Sequence, residues 1–263
     1  MKQILAVLLA ATLLNACGLL PEQIDETKNW SAAKLYDKAK QELLDSNYTD
    51  AVKYYEKLEA RYPYGPYAQQ AQLEIAYAYY KDNEPASAIA ACDRFIKLHP
   101  DHPSVDYAYY IKGLANFHDD EGPFSALADQ DMSERDPKSA EEAFNAFKEL
   151  VTRFPNSKYA PDSLGRMRYL VNALASHEVH VARYYYNRGA YVAAVDRVKY
   201  VLEHYQQAPA VKQGLVIMAD SYDKMGLTQL RDDTLRVLKE NFPDDAKPGA
   251  SALGKKKAWW HFW

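Results

Sequence analysis

Apolar residues recur three and four positions apart over Leu35–Leu44 and again over Ala68–Tyr80, the spacing that puts one buried stripe on a helix. Each such stretch is followed by a second one with a shared ending. Leu58-Glu59-Ala60-Arg61-Tyr62-Pro63, Phe95-Ile96-Lys97-Leu98-His99-Pro100, Leu150-Val151-Thr152-Arg153-Phe154-Pro155 and Leu238-Lys239-Glu240-Asn241-Phe242-Pro243 all place a large apolar residue five positions before Pro. The Pro ends the helix, because it lacks a donor and disfavours helical backbone at the preceding residue. Twelve residues before the first three of these prolines stands a small residue, Ala51, Ala88 or Ala143, where paired helices can approach closely. Turn-forming text, Asp45-Ser46-Asn47 and Lys81-Asp82-Asn83-Glu84-Pro85, separates the two stretches of the first two units. Each unit is predicted to be a helix hairpin.

A third unit runs from about Val105 to Pro155, interrupted by a polar insertion over Asp119 to Pro137. Pro161 to Ser176 then reads as a helix. It is followed by a fourth unit whose first helix ends near Tyr186-Asn187-Arg188-Gly189 and whose second spans Tyr191 to His204. A fifth, Val211 to Pro243, turns at Lys224-Met225-Gly226. Pro63 and Pro100 stand 37 residues apart, close to the roughly 34 of a tetratricopeptide repeat. The expected fold is all-α, a tetratricopeptide-repeat superhelix of about five helix hairpins. Such hairpins share a continuous core and enclose a concave surface suited to peptides or partner domains. A simple helical bundle would give no common Pro-terminated unit.

The start of the chain changes the picture from a soluble scaffold to an exported one. One Lys precedes an apolar run from Ile4 to Leu14, too short to span a bilayer, and Ala16-Cys17 falls where a secretory cleavage site belongs. Leu14-Asn15-Ala16-Cys17 resembles the bacterial lipobox, with Asn15 an imperfect match, so Cys17 is the expected lipidation site. Acyl chains gain about 0.8 kcal/mol per buried methylene, which makes such an anchor effectively permanent. By resemblance to other bacterial lipoproteins, Gly18 in place of an inner-membrane retention Asp favours sorting to the outer membrane, with the chain on its periplasmic face. The expected segments are a signal peptide (1–16), a lipidated linker (17–30), repeats one to three (31–155), repeats four and five (156–243) and a basic, aromatic tail (244–263).

Composition narrows the functions. With Cys17 acylated, Cys92 is the only other thiol, so no intramolecular disulfide is available and Cys92 reads as buried structure. Lys and Arg total 32 against 36 Asp and Glu, a balance that offers nothing to nucleic acid. Tyr numbers 22 against only 10 Gly, which favours helices and interfaces over loops. Catalytic and metal patterns fail on spacing. His177-Glu178-Val179-His180 sets the imidazoles three apart, unlike a zincin. Asp129, Asp131 and Ser133 begin like a calcium loop, but Glu134 and Ala140 occupy the positions that need Gly and a bidentate Glu. No enzyme, metal or cofactor is expected.

Arg61-Tyr62-Pro63-Tyr64-Gly65-Pro66-Tyr67, Gln69-Gln70, Ala76-Tyr77-Ala78-Tyr79-Tyr80-Lys81 and Asp93-Arg94-Phe95-Ile96 resemble the BamD family, lipoprotein subunits of the outer-membrane β-barrel assembly machine. The resemblance continues through Asp106-Tyr107, Arg135-Asp136-Pro137, Tyr159 and Arg188-Gly189-Ala190, nearly the whole exported chain. It implies that the N-terminal repeats accept the extended C-terminal segment of unfolded outer-membrane β-barrel proteins. The C-terminal repeats would dock to the periplasmic domain of BamA and to other Bam lipoproteins.

On that reading Tyr62, Tyr64, Tyr67, Tyr77, Tyr80, Tyr107 and Tyr110 supply stacking surfaces, and Arg61 or Arg94 meets a terminal carboxylate. Tyr184, Tyr185, Arg188 and Arg197 form the BamA-facing set, with Arg197 paired to a BamA carboxylate. Any single Tyr can instead pack between repeat helices, Arg61 can face the carbonyl end of its helix, and the basic fourth repeat can be a solvated face. The tail, with Lys255-Lys256-Lys257 before Trp259-Trp260-His261-Phe262-Trp263, departs from the family pattern and suits a membrane interface or an aromatic-binding groove. The alternative function is a periplasmic repeat adaptor in cell-wall organisation or division.

Overall fold

The computed structural model describes residues 25–117 and 137–243. They form ten helices: α1 (Ala32–Leu44), α2 (Tyr48–Arg61), α3 (Pro66–Lys81), α4 (Pro85–Leu98), α5 (Val105–Phe117), α6 (Pro137–Arg153), α7 (Ala160–Asn187), α8 (Tyr191–His204), α9 (Ala210–Lys224) and α10 (Thr228–Asn241). No strand occurs among the described residues. Consecutive helices pack in sequence, giving five hairpins. The first helices of neighbouring hairpins also pack on one another, α1 on α3, α3 on α5 and α7 on α9. This second set of contacts turns a row of hairpins into a superhelix with the odd-numbered helices as one layer.

Four of the five hairpins turn the same way. Ser46, Asn83, Gly189 and Gly226 hold φ of 63°, 62°, 78° and 73°, the left-handed backbone that terminates a helix. The next residue then donates its N–H back across the turn, Asn47 to Glu42 O (2.8 Å), Glu84 to Tyr79 O (2.9 Å), Ala190 to Tyr185 O (3.0 Å) and Leu227 to Tyr222 O (2.9 Å). The third connection lies outside the described residues. Helix starts follow equally local chemistry: the Ser31 side chain accepts from Lys34 N–H, and Pro66 and Pro85 occupy first-turn positions where no donor is needed.

The shared Pro ending has a structural counterpart. Tyr62, His99, Phe154 and Phe242 each donate their backbone N–H to the carbonyl of the apolar residue four positions earlier, Leu58, Phe95, Leu150 and Leu238. Leu58, Phe95 and Leu150 are fully buried, so one residue both anchors the helix and accepts its last hydrogen bond. The fourth hairpin uses the same closure at Tyr205, whose N–H meets Val201 O at 2.8 Å, although Gln206 replaces the Pro. The small residues Ala51, Ala88 and Ala143 are fully buried at the hairpin crossings, joined by Ala194 in the fourth.

One element differs from the expectation. Pro161–Ser176 is not a separate helix but the first part of α7, which runs 28 residues without a break. Nothing from Arg166 to Asn187 stops the helix, since those residues include neither Pro nor Gly. Leu170 and Leu174 on α7 pack with Phe117 and Phe147 of the third hairpin, while Ala175, Val179 and Ala182 join the core of α8 and α9.

Candidate functional site

The tyrosines sort by layer. Tyr67, Tyr77 and Tyr80 on α3 and Tyr107 and Tyr110 on α5 belong to the odd-numbered helices, where further polar and aromatic groups join them. Tyr36 of α1 meets Tyr67 with ring centroids 5.5 Å apart. Tyr159, the residue that opens α7, stacks on both Tyr110 (4.6 Å, 17° between planes) and Tyr107 (5.3 Å, 26°). The Tyr110 hydroxyl donates to Asp162 Oδ2 at 2.8 Å, and Arg166 Nε donates to the same oxygen at 2.7 Å. Aromatic and charged groups thus run from α1 through α3 and α5 to the first turns of α7. Tyr77, Tyr80 and Tyr107 are half-buried around the core formed by Ala76, Cys92 and Ile111, so their packing and binding faces belong to the same rings.

Glu74 lies within this row and is buried despite its charge. Lys40 Nζ (2.8 Å), Gln70 Nε2 (3.2 Å) and the Tyr36 hydroxyl (3.5 Å) all donate to its Oε1. Burial and the Glu74 carboxylate push the Tyr36 phenol up to about 12, so it stays a donor. The Tyr55 hydroxyl, fully buried on α2, meets no partner among the described residues; burial, then the charge of Glu74, raises its pKa well above the usual phenol value.

The two cations proposed for a terminal carboxylate sit elsewhere. Arg61, at the end of α2, binds the Asp25 carboxylate and the Thr27 carbonyl, and donates to Thr27 Oγ1 at 2.9 Å. Lys57 adds a bond to Asp25 Oδ1 at 3.2 Å, the Tyr62 hydroxyl donates to Trp30 O at 2.9 Å, and Trp30 stacks on Tyr54. Together these groups hold residues 25–30 against the first hairpin. The Thr27 hydroxyl and then Lys57, with Thr27 N–H and Arg61 adding to them, hold the Asp25 carboxyl well below the usual carboxylate range. Arg94 on α4 pairs with Glu59 on α2 at 3.1 Å, in the even-numbered layer. Tyr64, in the turn before α3, is 91% exposed and free to meet a partner.

Sequence reasoning passed over Tyr36, Glu74, Asp162 and Arg166. Their signal is weak in one dimension, because only the stacking of α1, α3, α5 and α7 brings them into line.

The fourth hairpin gathers its predicted set. Arg188 lies over the Tyr184 ring at 4.7 Å, and Tyr184 meets Tyr185 at 5.8 Å. Arg197 on α8 pairs with Glu178 on α7 at 3.2 Å. Tyr185, Ala193, Asp196, Arg197 and Tyr200 line an open groove of about 380 Å³. Arg and Tyr side by side on an exposed face form the chemistry enriched in protein interfaces.

Cys92 is fully buried, and burial pushes its thiol up to about 12, as befits a packing residue. Among the described residues no group of three or more His, Cys, Asp or Glu is placed to hold a metal ion, and no helix is long and apolar enough to cross a membrane. The expected signal segment, Cys17, the insertion from residue 118 to residue 136 and the tail lie outside the described residues.

A five-hairpin superhelix with an aromatic row along its odd-numbered helices and a separate Arg–Tyr face defines a helical-repeat binding scaffold. Residues 28–238 match the family described as outer membrane lipoprotein. Proteins named outer membrane protein assembly factor BamD align with it: 47% identity in Neisseria meningitidis serogroup A, over all of both chains; 36% in Xylella fastidiosa, over 92% of this chain and 82% of that one; and 34% in Vibrio cholerae, over 91% and 98%. The chain belongs to the BamD family of outer-membrane lipoproteins. A solved array of TPR-like repeats from Podosopora anserina aligns over 81% of this chain and 96% of its own at 16% identity, with a TM-score of 0.36.

Proposed function

We propose that the chain is a lipid-anchored scaffold subunit of the outer-membrane β-barrel assembly machine, acting by binding and without catalysis. Cys17 carries the anchor and holds the protein at the periplasmic face of the outer membrane. Repeats one to three receive unfolded outer-membrane proteins, and repeats four and five dock to the periplasmic domain of BamA and to other Bam lipoproteins. The observation that carries this reading is the aromatic row from Tyr36 and Tyr67 through Tyr107 and Tyr159 to Tyr110. An unfolded barrel strand alternates apolar and polar side chains, and flat rings edged with hydroxyls meet both kinds along an extended segment. Arg61 supports the linker on this reading, and Lys40, Lys158 and Arg166 are cations beside the row.

Site-specific photocrosslinking in cells tests it. Probes at Tyr64 or Tyr110 should capture unfolded β-barrel proteins, and a probe at Tyr184 should capture BamA. Depletion of the protein should lower outer-membrane porins, and Cys17→Ala should release it from the membrane. Capture of neither partner, with porins unchanged, would favour the cell-wall adaptor instead.

A further inference from the structure

We propose that Glu74 forms a cation-selective subsite of the aromatic row, which takes a Lys or Arg side chain of the bound extended segment. The inference rests on the substrate-facing role of the row proposed above. Its starting point is that a carboxylate is retained, buried, among aromatic rings. Removing an ionised carboxylate from water is unfavourable by several kcal/mol unless partners compensate, and an ion pair at such a place is often no more stable than an apolar pair of equal volume. The Lys40–Glu74 contact alone therefore gives weak reason for the charge.

The geometry around Glu74 suits a visiting cation better. All three donors converge on Oε1, which leaves Oε2 without a donor among the described residues. Lys40 itself is 40% exposed, a long side chain whose tip can swing aside or share the carboxylate. Tyr36, whose hydroxyl reaches Glu74, has the Tyr67 ring beside it at 5.5 Å and the Tyr55 ring at 5.6 Å, and aromatic faces flanking a carboxylate attract ammonium and guanidinium groups. The Tyr55 hydroxyl supplies a second, independent observation. It is fully buried within the field of Glu74 and has no hydrogen-bond partner among the described residues, so a bridging water that accepts from its O–H and donates toward Oε2 would relieve an orphaned polar group.

The test uses the mature chain and labelled synthetic peptides of about twelve residues, alternating Thr and Val and ending in Phe. A single Lys or its neutral isostere norleucine is scanned through them, and affinity is read by fluorescence anisotropy. At one register the Lys peptide should bind about five- to thirty-fold tighter than the norleucine peptide. Glu74→Gln should shrink that ratio below about two-fold, while Lys40→Met, which removes the competing cation, should tighten the Lys peptide alone. If Glu74→Gln fails to fold, the Lys40→Met arm decides: an unchanged preference overturns the subsite. Peptides that bind through their aromatic end with no preference for Lys at any register overturn the subsite and leave the groove standing. No binding by any peptide overturns the groove reading and the subsite with it.

Discussion

The Phe147 ring lies across the backbone of Gly113, where a β-carbon would stand only 2.4 Å from Cε1 and 2.6 Å from Cδ1. Phe147 is fully buried and its ring also meets Tyr110 and Phe117, so it has no open side to move toward. Ala is the better helix former by about 1 kcal/mol, but overpacking a rigid ring opposes that gain with about 1–3 kcal/mol. Gly113→Ala should therefore lower stability in urea unfolding, and Phe147→Leu introduced beside it should recover part of the loss. An unchanged midpoint would mean that the ring yields freely.

The hairpin turns offer a gain. Ser46 holds φ at 63° with a side chain that left-handed backbone disfavours. Ser46→Gly should raise the unfolding free energy by about 0.5–1 kcal/mol. The reverse change at Gly189 meets no atom within 4 Å, so Gly189→Ala isolates the backbone effect and should lower stability by about 1 kcal/mol.

His102 makes the turn before α5 sensitive to acid. Its Nδ1 accepts from Ser104 N–H at 3.1 Å and its ring packs edge-on against Phe95 at 5.2 Å. Burial, and then the neighbouring His99, lower its pKa. The unfolded chain therefore takes up the proton first. Stability from this group is full above about pH 6.5 and is lost as pH falls from there toward the lower folded value. Thermal melts should show a smaller drop between pH 7.5 and pH 5.5 in His102→Gln than in the unaltered protein.

Arg197 can be separated from its own pair with Glu178. The contact is half-exposed on the Arg side, so losing it should lower stability by no more than about 1 kcal/mol. Arg197→Glu should nevertheless weaken binding to the BamA periplasmic domain at least about ten-fold. Adding Glu178→Arg should restore the melting temperature and not the binding. Recovery of both would confine the role of Arg197 to joining α7 and α8.

Removing the Arg61 guanidinium should free residues 25–30 while leaving the hairpins folded. Amide exchange in that segment should quicken at least about ten-fold in Arg61→Ala, with core exchange unchanged. Because the folded Asp25 carboxyl titrates below its unfolded value, its contribution is present above about pH 4 and fades only as pH falls further. Protection of the segment in the unaltered protein should accordingly survive at pH 4.5.

The hairpins were readable because their determinants are local: an anchor such as Leu58, a Pro five residues on and a turn at Ser46 or Gly226 all act within one unit. The extent of α7 was harder, since the sequence around Ser176 has the period of a helix on either side and nothing to say whether the two parts join. Side-chain roles were least readable where they depend on separate repeats. Arg61 looked like a receptor for carboxylates, and it does hold one, but Asp25 comes from 36 residues upstream. Glu74 carried no motif, and its partners Tyr36 and Lys40 become visible only when α1 is laid beside α3.

The unbroken course of α7 has a mechanical consequence. At about 1.5 Å per residue it is a rod of roughly 42 Å, seated at one end beside Tyr110 and at the other carrying Tyr184 and Arg188. A hinge between the two halves would let each settle independently. An unbroken helix packed into two cores instead fixes one spacing and one orientation between the Tyr159 end and the Arg188 end, so that the two surfaces face their ligands in a set register.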